Sequence, residues 1–178
     1  MRKLKISLFF SLMFLLMAAF PCKTTQADPL PSADKYLNHV SIKHPVPFMG
    51  RVSAMITGMT GGNGTFYVTV DGSGNVTHLG KVQLHLEEVI VFDATGAGIS
   101  DQDITYTAAN GDQLSVHAIS NVIPRIDDPA IMDVESIRGE FAGGTGRFED
   151  ATGTYHLKAV VNTSTHMVQA WINGSIMY

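Results

Sequence analysis

Gly143-Gly144-Thr145-Gly146-Arg147-Phe148-Glu149-Asp150-Ala151-Thr152-Gly153 reverses the chain between two runs in which apolar and polar residues alternate. Upstream lies Ile137-Arg138-Gly139-Glu140-Phe141; downstream lies Thr154-Tyr155-His156-Leu157-Lys158-Ala159. A period of two puts successive side chains on opposite faces of a strand, so each run reads as one wet and one buried face. Three glycines within Gly143–Gly146 open backbone angles closed to other residues, the chemistry of a tight reversal.

The same grammar extends in both directions. Phe48, Val52, Ala54 and Ile56 share a face, as do Phe66, Val68 and Val70, and Leu114, Val116 and Ala118. Val82, Leu84 and Leu86 oppose Lys81, Gln83, His85 and Glu87, the cleanest amphipathic strand of the chain. Ile137, Gly139 and Phe141 form another expected inward set, followed by Tyr155, Leu157, Ala159 and Val161, and by Val168, Ala170, Ile172 and Ile176. Gly61-Gly62-Asn63-Gly64, Asp71-Gly72-Ser73-Gly74-Asn75 and Asn110-Gly111 read as turns, and Asn-Gly between alternating runs is a strong hairpin signal. Asn121 to Val134, with two prolines and several acids, reads as a long loop. The expected fold is all-β: about eight antiparallel strands in a small closed or nearly closed barrel, which removes exposed sheet edges.

Residues 1–27 read as a signal peptide. Arg2, Lys3 and Lys5 precede an apolar run from Ile6 to Phe20, about 15 residues, shorter than the roughly 20 that a spanning helix needs. Cleavage is expected after Ala27; Cys22 opens the alternative of a lipoprotein, although Phe20 and Pro21 replace the small residues expected before an acylated cysteine. Residues 28–47, with Pro29, Pro31, Pro45 and Pro47, form an extended lead-in to a single barrel domain over 48–178. The expected destination is secreted or periplasmic, with no stable membrane insertion after cleavage. The leader holds four of the 12 Lys and Arg and none of the 16 acids, so the mature chain carries a formal charge of −8. Such a balance disfavours nucleic acid as a partner. Loss of Cys22 also excludes disulfides, thiolate metal sites and cysteine nucleophiles from the mature chain.

Thr77-His78-Leu79-Gly80, Ala108-Ala109-Asn110-Gly111-Asp112-Gln113-Leu114 and Gly143-Gly144-Thr145-Gly146-Arg147-Phe148, in this order, resemble the motifs of a family of small secreted bacterial proteins of unknown function. The last element is also similar to the glycine-rich turn of dirigent proteins and allene oxide cyclases. That resemblance implies an eight-stranded antiparallel barrel and export, and it implies no activity, because the catalytic residues of allene oxide cyclase are not matched.

Two residues stand out as candidate ligand contacts. Counting in twos from Val82 through Gly80 puts His78 on the inward face, where an imidazole is a ligand anchor or a proton-transfer group. The competing reading is a histidine at the barrel end that bonds the backbone of a neighbouring segment. Arg147, directly after a glycine turn, is placed either to clamp an anion or to pair with Glu140 or Asp112 and fix the hairpin. Asp112 reads as a turn cap. No catalytic set, resident metal or cofactor is expected: Asp71-Gly72-Ser73-Gly74-Asn75 lacks the glutamate of a calcium loop, with Val82 at the twelfth position, and no zinc-binding histidine spacing occurs. The acids Asp127, Asp128, Asp133 and Glu135 form a second, weak calcium candidate. Asn63, Asn75, Asn162 and Asn173 each open a glycosylation triplet, without meaning in a bacterial protein.

Three functions are compatible with this reading. The first is a non-enzymatic binding or surface-interaction module, its partner a small apolar ligand or another surface. The second is an isomerase or cyclase acting on an enclosed apolar substrate, with His78 and any inward acid as its groups. The third is an eight-stranded outer-membrane barrel, suggested by the terminal aromatic Tyr178. Small inward residues such as Gly50, Ala54, Ala118, Gly139 and Ala159 leave room for a cavity unless Phe48, Phe66, Phe141 and Tyr155 fill it.

Overall fold

The computed structural model describes residues 43–178; the expected leader, Cys22, the cleavage point and the lead-in as far as residue 42 lie outside the described residues. Eight strands follow one another: β1 Val46–Gly62, β2 Thr65–Val76, β3 Gly80–Phe92, β4 Gly98–Ala108, β5 Gln113–Pro124, β6 Ile131–Gly144, β7 Thr152–Asn162 and β8 Met167–Met177. Each pairs antiparallel with its neighbour in sequence, and β8 pairs with β1 from Val46↔Ile176 to Met55↔Met167, closing the barrel. The strands follow from the expected alternation. Val52 and Ala54, Val82, Leu84 and Leu86, Leu114, Val116 and Ala118, and Tyr155, Leu157 and Ala159 are all buried, and the residues between them are more exposed.

Three expectations are corrected. Asp71 to Asn75 is not a turn but belongs to the second half of β2. Gly72 and Gly74 face inward there, and a Cβ on Gly74 would stand 2.1 Å from the Arg51 carbonyl oxygen, so the glycines admit the close approach of β1 rather than a reversal. The reversal itself is Thr77–Leu79. The long loop shrinks to residues 125–130, because β5 runs on to Pro124 and β6 starts at Ile131. Proline is tolerated at a strand end, where its missing N–H removes no ladder bond.

The third correction is Ile137, which points outward and is 58% exposed. Ile119 pairs with Arg138 and Ser120 with Ser136, so Ile137 is an extra residue on β6 against β5; pairing with β7 also slips between Glu135 and Glu140. Such a bulge turns one residue out of the alternation. Ser136 takes the inward-leaning place, and its hydroxyl accepts a hydrogen bond from the Leu157 N–H at 2.9 Å, a donor the interrupted ladder would leave unpaired.

The interior is unevenly filled. One end, where the turns 77–79, 109–112 and 145–151 lie, is plugged by aromatic rings. Phe48, Tyr106, Phe148 and Tyr155 are fully buried; Phe48 meets Phe141 edge-on at 4.8 Å, and Phe141 meets Tyr155 at 6.0 Å. A Cβ on Gly139 would stand 2.4 Å from the Tyr155 carbonyl oxygen, so the small residue makes way for the large one beside it. The two phenols bond each other at 2.7 Å, and burial pushes both pKa values above the usual tyrosine range.

Candidate functional site

Toward the other end the packing opens into a cavity of about 320 Å3. Its wall comprises apolar side chains from β1 to β8, among them Val68, Leu86, Ile104, Val134, Ala159 and Ala170. Met59, Phe66, Phe92, Met132 and Thr163 lie near the turns of this end, and Met59, 57% exposed, sits on the rim. Ligand pockets span about 300–1,000 Å3, so this space suits one small molecule. The small inward residues do leave room, as the sequence allows: the aromatic side chains seal one end, while Phe66 pairs with Phe92 at 5.8 Å near the other.

The wall has one charged member. Glu88 continues the Val82, Leu84, Leu86 alternation by a single step, so its side chain turns inward from β3. Its Oε2 accepts hydrogen bonds from the Ser100 hydroxyl and, at 2.9 Å, from Gln102 Nε2; Gln102 Oε1 in turn accepts from the Ser120 hydroxyl at 2.9 Å. Register brings the four together, since Glu88 faces Gln102 across β3–β4 and Ser100 faces Ser120 across β4–β5. This network escapes a reading that stops at Leu86. The available signal was the period itself, which lands on Glu88 after Leu86 and on Ser100 and Gln102 before Ile104, Tyr106 and Ala108.

His78 and Arg147 are brought together, but at the sealed end, and neither lines the cavity. The inward count fails for His78 because the chain reverses there: its φ is +68°, and the neighbouring Leu79 is buried instead. The His78 ring donates from Nε2 to the Pro47 carbonyl at 2.9 Å and stands 5.6 Å from the Tyr178 ring. Arg147 donates to the His78 carbonyl, lies 3.6 Å from the Asp112 carboxylate and covers the Phe148 ring at 4.8 Å. The arginine thus ties the turn after β6 to the turns after β2 and β4. Its partner is Asp112; Glu140 instead pairs with Arg138 at 3.3 Å.

On the outer surface, Asp71 accepts hydrogen bonds from Thr57 at 2.7 Å and from His85 at 2.8 Å. The bond to Asp71 raises the His85 pKa, and the His85 bond, with the Thr57 hydroxyl next, lowers that of Asp71. His117 lies 3.1 Å from Asp103 and 3.5 Å from Asp101. Among the described residues no three His, Cys, Asp or Glu side chains gather as a metal site. No protein-family model matches the chain, and no curated protein is significantly similar to it.

Proposed function

We propose that this chain is an exported barrel that holds a small apolar or amphipathic molecule in its interior and performs no chemistry on it. The apolar cavity, closed at one end by aromatic rings and reaching the opposite rim, carries this reading. The charged start and apolar run of residues 1–27 support export, and the three turn motifs support kinship with small secreted bacterial barrels. Polarity argues against lipid around the barrel. Tyr67, Val91, Ile99, Ile123 and Trp171 are exposed on the outside, but Lys81, Gln83, His85 and Glu87 on β3 and Thr154, His156 and Lys158 on β7 face outward too, whereas an outer-membrane barrel needs a continuous apolar outer band.

The test is uptake of the neutral, environment-sensitive dye N-phenyl-1-naphthylamine. Saturable fluorescence enhancement at one dye per chain is expected, and Ala159→Phe, which fills the cavity from its wall, should abolish it while the β-sheet circular dichroism persists. Absence of uptake by the unmodified protein refutes the reading.

A second reading, proton transfer on an enclosed substrate, rests on Glu88 rather than on His78. A carboxylate facing an apolar space can take a proton from a bound molecule. Turnover of a captured ligand, followed by mass spectrometry, separates it from simple binding.

A further inference from the structure

We infer that Glu88 is the anchor for the head group of the cavity's ligand, and that this ligand is an amphiphile with a cationic, hydrogen-bond-donating head, of the class of small alkyl amines. The inference rests on the binding reading above and specifies its chemistry.

The first support is the position. Alternation calls for an apolar side chain at the place after Leu86, and the barrel carries a carboxylate there, among aliphatic neighbours. Glu88 is half-buried, and even partial withdrawal of a carboxylate from water without a compensating charge is unfavourable. The second support is the scaffolding. Apart from the Tyr106–Tyr155 phenol pair at the sealed end, Ser100, Gln102 and Ser120 are the buried polar side chains of the described residues, and all three belong to the chain of bonds that ends on Glu88. The Ser120 hydroxyl occupies the Gln102 oxygen, which turns the amide nitrogen toward the carboxylate and fixes its orientation.

The third support is what the scaffold leaves open. Both donated bonds fall on Oε2, and no described side chain bonds Oε1. Glu88 takes part in none of the ion pairs of the described residues, and no Lys, Arg or His lines the cavity. An oriented acceptor with spare capacity and no counter-charge selects a ligand that brings both a donor and a positive charge. A fatty acid or a phosphate ester would set like charges side by side in a poorly screened space. The rim is acidic on balance: Asp93 lies in the turn before β4, and Asp127 and Asp128 lie in the turn before β6, where Arg125 is the one cation and is already paired with Asp133 at 2.7 Å.

The experiment displaces N-phenyl-1-naphthylamine from the purified protein with decylammonium, decanol or decanoate, all below their micelle-forming concentrations. Decylammonium should displace the dye at a concentration at least about tenfold below decanoate, with decanol between, a factor equivalent to about 1.4 kcal/mol. Glu88→Gln keeps an acceptor for Ser100 and Gln102, and should bring ammonium and alcohol to within about twofold of each other. Equal potency of the three compounds on the unmodified protein, a comparison that needs no variant, overturns the assignment of the head group while leaving the cavity reading intact. So does an order unchanged in Glu88→Gln. Failure of the dye to enter overturns both.

Discussion

Gly146 begins the short 3-10 turn Gly146–Phe148 with φ +59°, a left-handed conformation unfavourable for a side chain with a Cβ. A Cβ built there stands 2.2 Å from Asp112 Oδ1, the carboxylate whose other oxygen faces Arg147. Gly146→Val therefore meets two obstacles. The backbone penalty is about 1–3 kcal/mol. Displacing Asp112 weakens a half-exposed ion pair whose own contribution is below about 1 kcal/mol. A domain of this size loses about 2–4 °C of melting temperature per kcal/mol, so a fall of about 2–16 °C is expected. Urea denaturation followed by circular dichroism should show a lower midpoint at unchanged slope. Gly146→Asn should fall less, because asparagine visits the left-handed region more readily while sharing the Asp112 contact. Dye uptake at a temperature where both proteins are folded should match that of the unmodified barrel, since the turn lies at the sealed end. A Gly146→Val protein that keeps its melting temperature and loses uptake would refute this reasoning and make the turn a functional loop.

Tyr106→Phe removes one half of a buried phenol pair and should destabilise the barrel by about 1–3 kcal/mol, with part of the loss regained in Tyr106→Phe/Tyr155→Phe; denaturant titration reads both. The folded pKa values of these tyrosines exceed the unfolded value near 10, so their contribution is complete below about pH 10 and is lost as the pH rises beyond it. Tyrosinate absorbance should accordingly show two phenols ionising only with unfolding. For the surface pair, His85 is raised and Asp71 lowered. Its contribution, below about 1 kcal/mol for such exposed groups, is present between about pH 4 and 6.5 and is lost on either side: toward alkali as His85 deprotonates, toward acid as Asp71 protonates. Nuclear magnetic resonance titration of His85 before and after Asp71→Asn checks the direction. Ile137→Lys should change stability by less than about 0.5 kcal/mol because the bulge already exposes the side chain, whereas Ser136→Ala should lose about 1 kcal/mol with the hydroxyl acceptor of the Leu157 N–H.

Most of the architecture was legible because barrel strands obey a period of two wherever no extra residue intervenes. The inward sets of β1, β3, β5, β7 and β8 came directly from that period. It fails at particular residues for particular reasons. Ile137 is apolar and in phase, yet it is itself the extra residue of a bulge and so turns outward, and no local composition marks it. Gly72 and Gly74 carry turn chemistry that the adjacent backbone of β1 puts to another use. His78 fell to a left-handed reversal one step before the strand that the count presumed continuous. The sealed-end partnership of Arg147 with Asp112 was within reach, since both are turn residues; its carbonyl partner on a third turn was not. The cavity could only be allowed by the sequence, because a void depends on where aromatic rings gather along the axis.

The seam between β1 and β8 is the one junction without a hairpin. It joins Val46 to Ile176, roughly 130 positions apart, whereas every other strand pair is brought together by a short connection. Chain-closure entropy makes such a long-range contact slower to form than a hairpin and raises the contact order of the barrel. Without that closure the sheet would have two open edges and a bared apolar face, the kind of surface that joins another copy of itself; closing the seam removes it.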